Sequence, residues 1–168
     1  AAAGFRQRQN LEYSLQAKET VQELESPAPI EKVFEEPLSE MIMELSHHGF
    51  LCHVEPFGEP AYIAVREQSI HRIIDNILSN IQKNADVKQP VNIWPLETER
   101  VVGIVFENTV SDVKPGNGGT RIGVKSIGSL MKIMGGSSQI ENMNGKYRIA
   151  LSFPKVSSED KHGERIVS

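Results

Sequence analysis

Residues 71–83 read HRIIDNILSNIQK, and the fold turns on how that stretch is built. Ile70, Ile73, Ile74, Ile77 and Ile81 recur at intervals that put side chains on one face of an α-helix. At about 100° of rotation per residue, Asn76, Asn80 and Lys83 fall in a narrow arc about a third of a turn from the isoleucines. Asparagine is a middling helix former, so two of them mid-helix cost about a few tenths of a kcal/mol each. The stripe is therefore either the wetted flank of a core helix or a surface aimed at a charged group. Amide oxygens suit a hard cation such as Mg2+, and a lysine ammonium suits phosphate oxygens. The second reading requires a phosphate-cradling segment elsewhere in the chain.

Composition narrows the classes. A chain of 168 residues, 39% of them hydrophobic, has the length and apolar content of one soluble domain with a sizeable core. A net charge of -4 and a pI near 5.8 give no general attraction to nucleic acid or anionic lipid, so phosphate recognition has to be local. Cys52, the single cysteine, cannot form an internal disulfide. It lies in the apolar run FLCHV, where a buried, inert thiol and a reducing compartment are expected. No run approaches the roughly 20 apolar residues of a membrane span, and AAAGF lacks the pattern of a signal peptide, so this segment is not expected to enter a membrane itself.

Working outward, residues 1–25 are proline-free and rich in helix formers, and predict a helix over residues 5–24. SPAPI interrupts it and marks a domain boundary. Leu38, Met41, Ile42 and Leu45 predict a helix over residues 36–48 ended by Gly49. FLCHVE and AYIAV, separated by PFGEP, read as strand, turn, strand. The asparagine helix starts near Ser69. VNIWPL and VVGIVFE then form a second strand pair, with Pro95 making the first of them an edge or imperfect strand. VKSIGSLMKIM resumes the helical pattern up to Gly135 and Gly136. SQIENM and YRIALSF close the domain as a hairpin turned at Asn144-Gly145. Helices interleaved with antiparallel strand pairs give an α+β two-layer sandwich, with a mixed, mostly antiparallel sheet backed by helices.

The segment NTVSDVKPGNGGTRIG is polar, glycine-rich and long for a plain connection. Its glycines Gly118, Gly119 and Gly123 lead into a helix whose first backbone N–H groups form a ready anion site. Glycine-rich turns before helices are common, and neither a GxxxxGK[ST] nor a GxGxxG after the first strand occurs. The order of parts carries the signal: the Asn-x-x-x-Asn-x-x-Lys helix, a strand ending in FENT, a polar loop, then the glycine turn and helix.

With those parts in place, RIIDNILSNIQKNAD resembles the N box of sensor histidine kinases, in a version found in Gram-positive bacteria. GTRIGVKSIGSLMKIMGG is similar to that group's G2 box, and ELSHHGF to its L-x-x-x-G-F lead-in to a strand. The likeness runs from about Ile30 to Pro154. It implies the Bergerat ATP-binding fold, holding ATP and Mg2+ under a lid at residues 110–118, and transfer of the γ-phosphoryl group to a histidine on a separate helical domain.

Carried over residue by residue, the resemblance puts Asn80 on the metal, Lys83 on phosphate, and Asn76 where it helps order the metal, as the catalytic-side asparagine. Asn108 of FENT would face the exocyclic amine of adenine, and Asn84 stands where an aromatic often covers the base. Gly119, Thr120, Arg121, Ile122, Gly123 and Val124 would form the turn under the phosphates. The chain departs from the pattern at Arg121, which replaces a glycine, and at Val110 and Asp112, which stand where the first glycine box has glycines.

None of His47, His48, His53, His71 and His162 has the context of a phospho-acceptor, which the resemblance places upstream. Residues 1–26 would then be the end of the dimerisation domain with its linker, 27–155 the ATP-binding catalytic domain, and 156–168 a disordered tail. The implied enzyme is a protein-histidine kinase whose partners are the histidine-bearing dimerisation domain and a response regulator. It would act as a homodimer on the cytoplasmic side of a membrane-bound sensor, without nucleic acid. Two alternatives stay open: a member of the fold that transfers no phosphate and works as an interaction module, and an ATPase of the gyrase kind. Asn76 argues against the second, which needs a glutamate base there.

Overall fold

The computed structural model describes residues 24–112 and 121–158, and of Arg121 and Ile122 the backbone only. Residues 5–23 of the expected helix, most of the expected lid, Gly118, Gly119, Thr120 and the tail from residue 159 on lie outside the described residues, and Leu24, the expected end of that helix, is not helical.

Helix α1, Ile30–His47, is longer than the sequence pattern suggests. Its core stripe is Ile30, Phe34, Pro37, Leu38, Met41 and Leu45. Pro37 therefore sits inside the helix rather than near its start. The lost hydrogen bond to the Val33 carbonyl costs about 3 kcal/mol or more in an isolated helix. Full burial of Ile30 and Phe34, at about 1.5–3 kcal/mol for each side chain, outweighs it. Phe34 meets Phe153 edge to face, with ring centroids 6.0 Å apart. Gly49 ends the helix as expected. With φ at 89° it lets the Phe50 N–H reach the Leu45 carbonyl and its own N–H reach that of Ser46, closing a Schellman motif.

The two short runs that follow do not form a hairpin. Strand β2, Cys52–Val54, pairs in parallel with β4, Val91–Glu97, after the chain crosses over through helix α2, Glu67–Asn84. Strand β3, Tyr62–Ile63, instead pairs antiparallel with β1, Ala28–Pro29, in the segment expected to be a boundary. Val156 bridges to Tyr62 from the other side, so the start of the expected tail is held in place.

Strand β5, Val101–Thr109, pairs antiparallel with β4 and with β7, Lys146–Pro154, and β7 pairs with β6, Ser137–Met143. The five-stranded order is β2-β4-β5-β7-β6, mixed and mostly antiparallel, as the sequence predicts. Pro95 sits opposite Ile104, beyond the three residues of β4 that β2 covers, so the strand is an edge at that point although not throughout. Asn144 and Gly145 both have positive φ, 55° and 74°, which is the turn the hairpin requires.

Val91, Ile93, Val102, Ile104, Phe106, Ile149, Leu151 and Phe153 face the helices and make the core with α1, α2 and α3, Arg121–Ile133. Gly103 lies where β5 and β7 are tightly apposed: a Cβ there would clash with the Leu151 carbonyl oxygen. The opposite face carries an ion pair, Arg148 Nη2 to Glu107 Oε2 at 2.6 Å, with the guanidinium 5.2 Å from the Trp94 ring centroid. The Glu107 hydrogen bond, then its charge, raise the Arg148 pKa further.

Candidate functional site

Helix α2 buries Ile70, Ile73, Ile74, Ile77 and Ile81, the face expected from their spacing. Asn80, at the margin of that face, is only 6% exposed, while Asn76 and Asn84 are half-buried and Lys83 is exposed. Among the described residues Asn80 Nδ2 is the buried side-chain polar atom with no hydrogen-bond partner. A buried amide left unpaired costs about 1–3 kcal/mol, so a helix flank built only for packing would not be expected to keep it. Asn84 Nδ2 donates to the Asn80 carbonyl at 3.1 Å and so helps to close the last turn.

The end of α2 is stapled to the end of β5. The Ser111 N–H donates to the Asn84 carbonyl and the Asp86 N–H to the Thr109 carbonyl, each at 2.8 Å, and Ala85 bridges Val110. Asn108, 5% exposed, thereby shares one end of the sheet with Asn80 and Asn84. Its Nδ2 donates to the Thr109 carbonyl at 3.3 Å, which leaves Oδ1 to accept from outside. The β6–β7 turn holds the same strand end: the Val110 N–H donates to the Gly145 carbonyl, and Lys146 Nζ to Thr109 Oγ1 at 2.9 Å.

Helix α3 packs beside α2, and at its far end Met134 Sδ accepts the N–H of Arg66, the residue before α2. The two helices thus run in opposite directions, and the N-terminal end of α3, with Gly123 and Val124 half-buried, lies toward the C-terminal half of α2. A helix start carries a partial positive charge, which suits an anion. Lys83 has no ion-pair partner among the described residues, so its charge is uncommitted. Arg121 and Ile122 open the helix by their backbone positions.

No group of three or more His, Cys, Asp and Glu side chains among the described residues could hold a metal. An oxygen-seeking cation at this end would be held by the Asn80 amide oxygen and by oxygens of a bound anion; the atom without a partner is Nδ2, a donor, which fits an oxygen of that anion. A separate cavity of about 210 Å3, lined by Glu25, Lys32, Pro37, Ile70 and His71 among others, lies about 15 Å along α2 and contains none of the candidate residues.

Sequence reasoning did not single out Tyr147. It lies directly across from Asn108 in the β5–β7 ladder, and only the register shows this. Cys52 is half-buried rather than fully buried, and burial pushes its thiol pKa up, in line with an unreactive group. His48, at the end of α1, stands 3.7 Å from Glu44, and His71 stands 3.8 Å from Glu67 in the first turn of α2, at the opposite end of that helix from Asn80. No described helix is long and apolar enough to cross a membrane.

Three comparisons bear on this arrangement. No protein-family model matches the chain. The chain is 30% identical over 143 residues to the sensor histidine kinase YrkQ of Bacillus subtilis (strain 168), over 84% of its own length and 32% of that protein's. It therefore spans about a third of that relative. Among solved structures, its fold is similar to the catalytic domain of histidine kinase ThkA in a nucleotide-free form, with a TM-score of 0.64 and 12% identity, covering 79% of this chain and 98% of that one. It is also similar to the ATP binding domain of PrrB from Mycobacterium tuberculosis, with a TM-score of 0.60 and 17% identity, covering 79% of this chain and 98% of that one.

Proposed function

Taking the chain as a piece of a sensor histidine kinase with the catalytic-domain fold, we propose that it binds Mg-ATP and presents the γ-phosphoryl group to a histidine on an upstream dimerisation domain. The observation that carries this reading is the joint at the end of α2, where Asn80, with its partnerless amide, and Asn108, with its free acceptor oxygen, are brought to one end of the sheet.

The roles follow from side-chain chemistry. Asn108 Oδ1 accepts from the exocyclic amine of adenine, a donor that its own committed Nδ2 could not serve. Lys83 and the opening turn of α3, from Arg121 through Val124, with Gly119 and Thr120 before it in the sequence, meet phosphate oxygens, and Asn76, one helical turn before Asn80, orders the metal-binding side of α2. Asn80 would hold Mg2+ through its amide oxygen, and the ion, when bound, neutralises charge on the phosphates. The acceptor imidazole nitrogen attacks the γ-phosphorus in line. The bond to the β,γ-bridging oxygen breaks, and ADP leaves with the electron pair. This domain acts by positioning and electrostatic stabilisation, with no covalent step of its own.

The whole protein would act as a homodimer through the dimerisation domain, on the cytoplasmic side of a membrane sensor, and pass its phosphoryl group to a response regulator. Titrating the chain with Mg-ATP in a calorimeter tests the core of the proposal. Saturable binding is expected, with no acid-labile phosphate on the chain alone and labelling once the histidine-bearing domain is added in trans. Absence of binding would overturn the kinase reading in favour of an interaction module.

A further inference from the structure

We infer that Tyr147 forms the wall of the site against which the nucleotide base lies, and that with Asn108 it sets the preference for adenine. The inference rests on the nucleotide-binding reading above and adds a residue to it.

The ladder supplies the geometry. Tyr147 of β7 and Asn108 of β5 are directly opposed, and opposed residues of an antiparallel pair project to the same face with Cβ atoms about 4.5–5.5 Å apart. The next pair on that face, Phe106 and Ile149, is in the core beneath the helices, so Asn108 and Tyr147 stand on the helix-facing side, where that row runs out to the site. One flank of the Tyr147 ring packs against the core and the residue is half-buried.

The environment of the ring is compatible with a ligand. The residue is half-buried, and no described residue hydrogen-bonds its hydroxyl, which is therefore available to one. Burial also pushes the phenol pKa up, so the group stays neutral and serves as donor or acceptor over the whole physiological range.

A purine presents an apolar face and a hydrogen-bonding edge. Tyr147 offers surface for the face, and Asn108 Oδ1 an acceptor for the edge. With Nδ2 held by the Thr109 carbonyl, Asn108 matches the exocyclic amine of adenine and opposes the carbonyl oxygen that guanine has in its place. Base stacking on an aromatic side chain is sequence-tolerant, so Tyr147 supplies affinity and fixes the plane in which Asn108 discriminates.

Calorimetry with Mg-ATP and Mg-GTP on the wild type, Tyr147→Ala and Tyr147→Phe tests the inference. Tyr147→Ala should weaken Mg-ATP binding about tenfold and narrow the ATP-to-GTP ratio, while Tyr147→Phe stays within about threefold of wild type. A second measurement keeps the fold intact: with fluorotyrosine in place of the chain's three tyrosines, the Tyr147 resonance, assigned from Tyr147→Phe, should shift with Mg-ATP and not with Mg-tripolyphosphate. Wild-type binding with an unchanged Tyr147→Ala affinity, or a resonance blind to the base, would overturn the role of Tyr147 alone. A wild type that binds no nucleotide would overturn both this inference and the reading beneath it.

Discussion

Replacing Asn80 with alanine should make the unliganded protein more stable and its ligand complex less so. In the unliganded structure Asn80 Nδ2 is buried without a partner, a liability of about 1–3 kcal/mol that the substitution removes. Alanine is also the better helix former, by less than about 0.7 kcal/mol. Against these stands the packing lost by a side chain that is only 6% exposed, on the order of 1 kcal/mol. The net is a gain of about 1–2 kcal/mol. At about 2–4 °C per kcal/mol for a chain of this size, the thermal midpoint should rise by about 2–8 °C. Mg-ATP at a hundred times the wild-type Kd should stabilise the wild type by about 2.7 kcal/mol. If the amide oxygen is a ligand and its loss weakens binding tenfold, the same concentration stabilises the variant by only about 1.4 kcal/mol. Differential scanning fluorimetry with and without Mg-ATP reads both effects. A lower unliganded midpoint would show that the amide has a partner after all, and an equal ligand-induced rise in both proteins would remove Asn80 from the metal site.

Two further outcomes follow from the sheet. Gly103→Ala should unfold the chain or lower its midpoint by about 10 °C or more, because the added Cβ clashes with the Leu151 carbonyl oxygen and a backbone atom in a central strand cannot move aside; a near-normal midpoint by circular dichroism would refute the apposition of β5 and β7. Stability should also decline with rising pH. The folded chain holds the Cys52 and Tyr147 protons above their ordinary pKa values of 9.0 and 10.0, so the unfolded state loses them first and the contribution present below pH 9 is lost on the way up. Urea midpoints at about pH 8 and about pH 10.5 measure it, and Cys52→Ala should flatten the lower part of the decline.

The sequence carried the long elements because their periodicity is local. The isoleucine spacing of α2, the Asn144-Gly145 turn and the glycine stop of α1 each depend on a few adjacent residues, and each appears in the structure. The start of α1 did not, since Pro37 is a strong local breaker and the burial that overrides it involves Phe153, far away in the chain. The short strands were harder still: two or three residues carry no period, and β2 and β3 find partners across a helix and across the linker. The candidate site divided along the same line. The shared flank of Asn80 and Lys83 was legible from one helix wheel, and the proposed role of Asn108 from the motif at the end of β5. Tyr147 was not, because its relation to Asn108 exists only as a ladder register.

Tyr62 is flanked by Pro29 on one side and Val156 on the other, and both neighbours run antiparallel to it, hence parallel to each other. Tension applied between the incoming segment at Leu24 and the outgoing segment at Ser158 would therefore pull along the strand axis and not across it. The bonds from Glu25 N–H to Val65, from Ile30 N–H to Ala61 and from Val156 N–H to Tyr62 would bear load together, as in a lap joint, instead of parting one by one like a peeled seam. A push or pull delivered through the chain at either end would reach the first turn of α2, since the Glu67 N–H is bonded to the Glu25 carboxylate. The patch thus ties the backbone at Glu25 to the start of the asparagine helix, so that displacement of one is felt by the other.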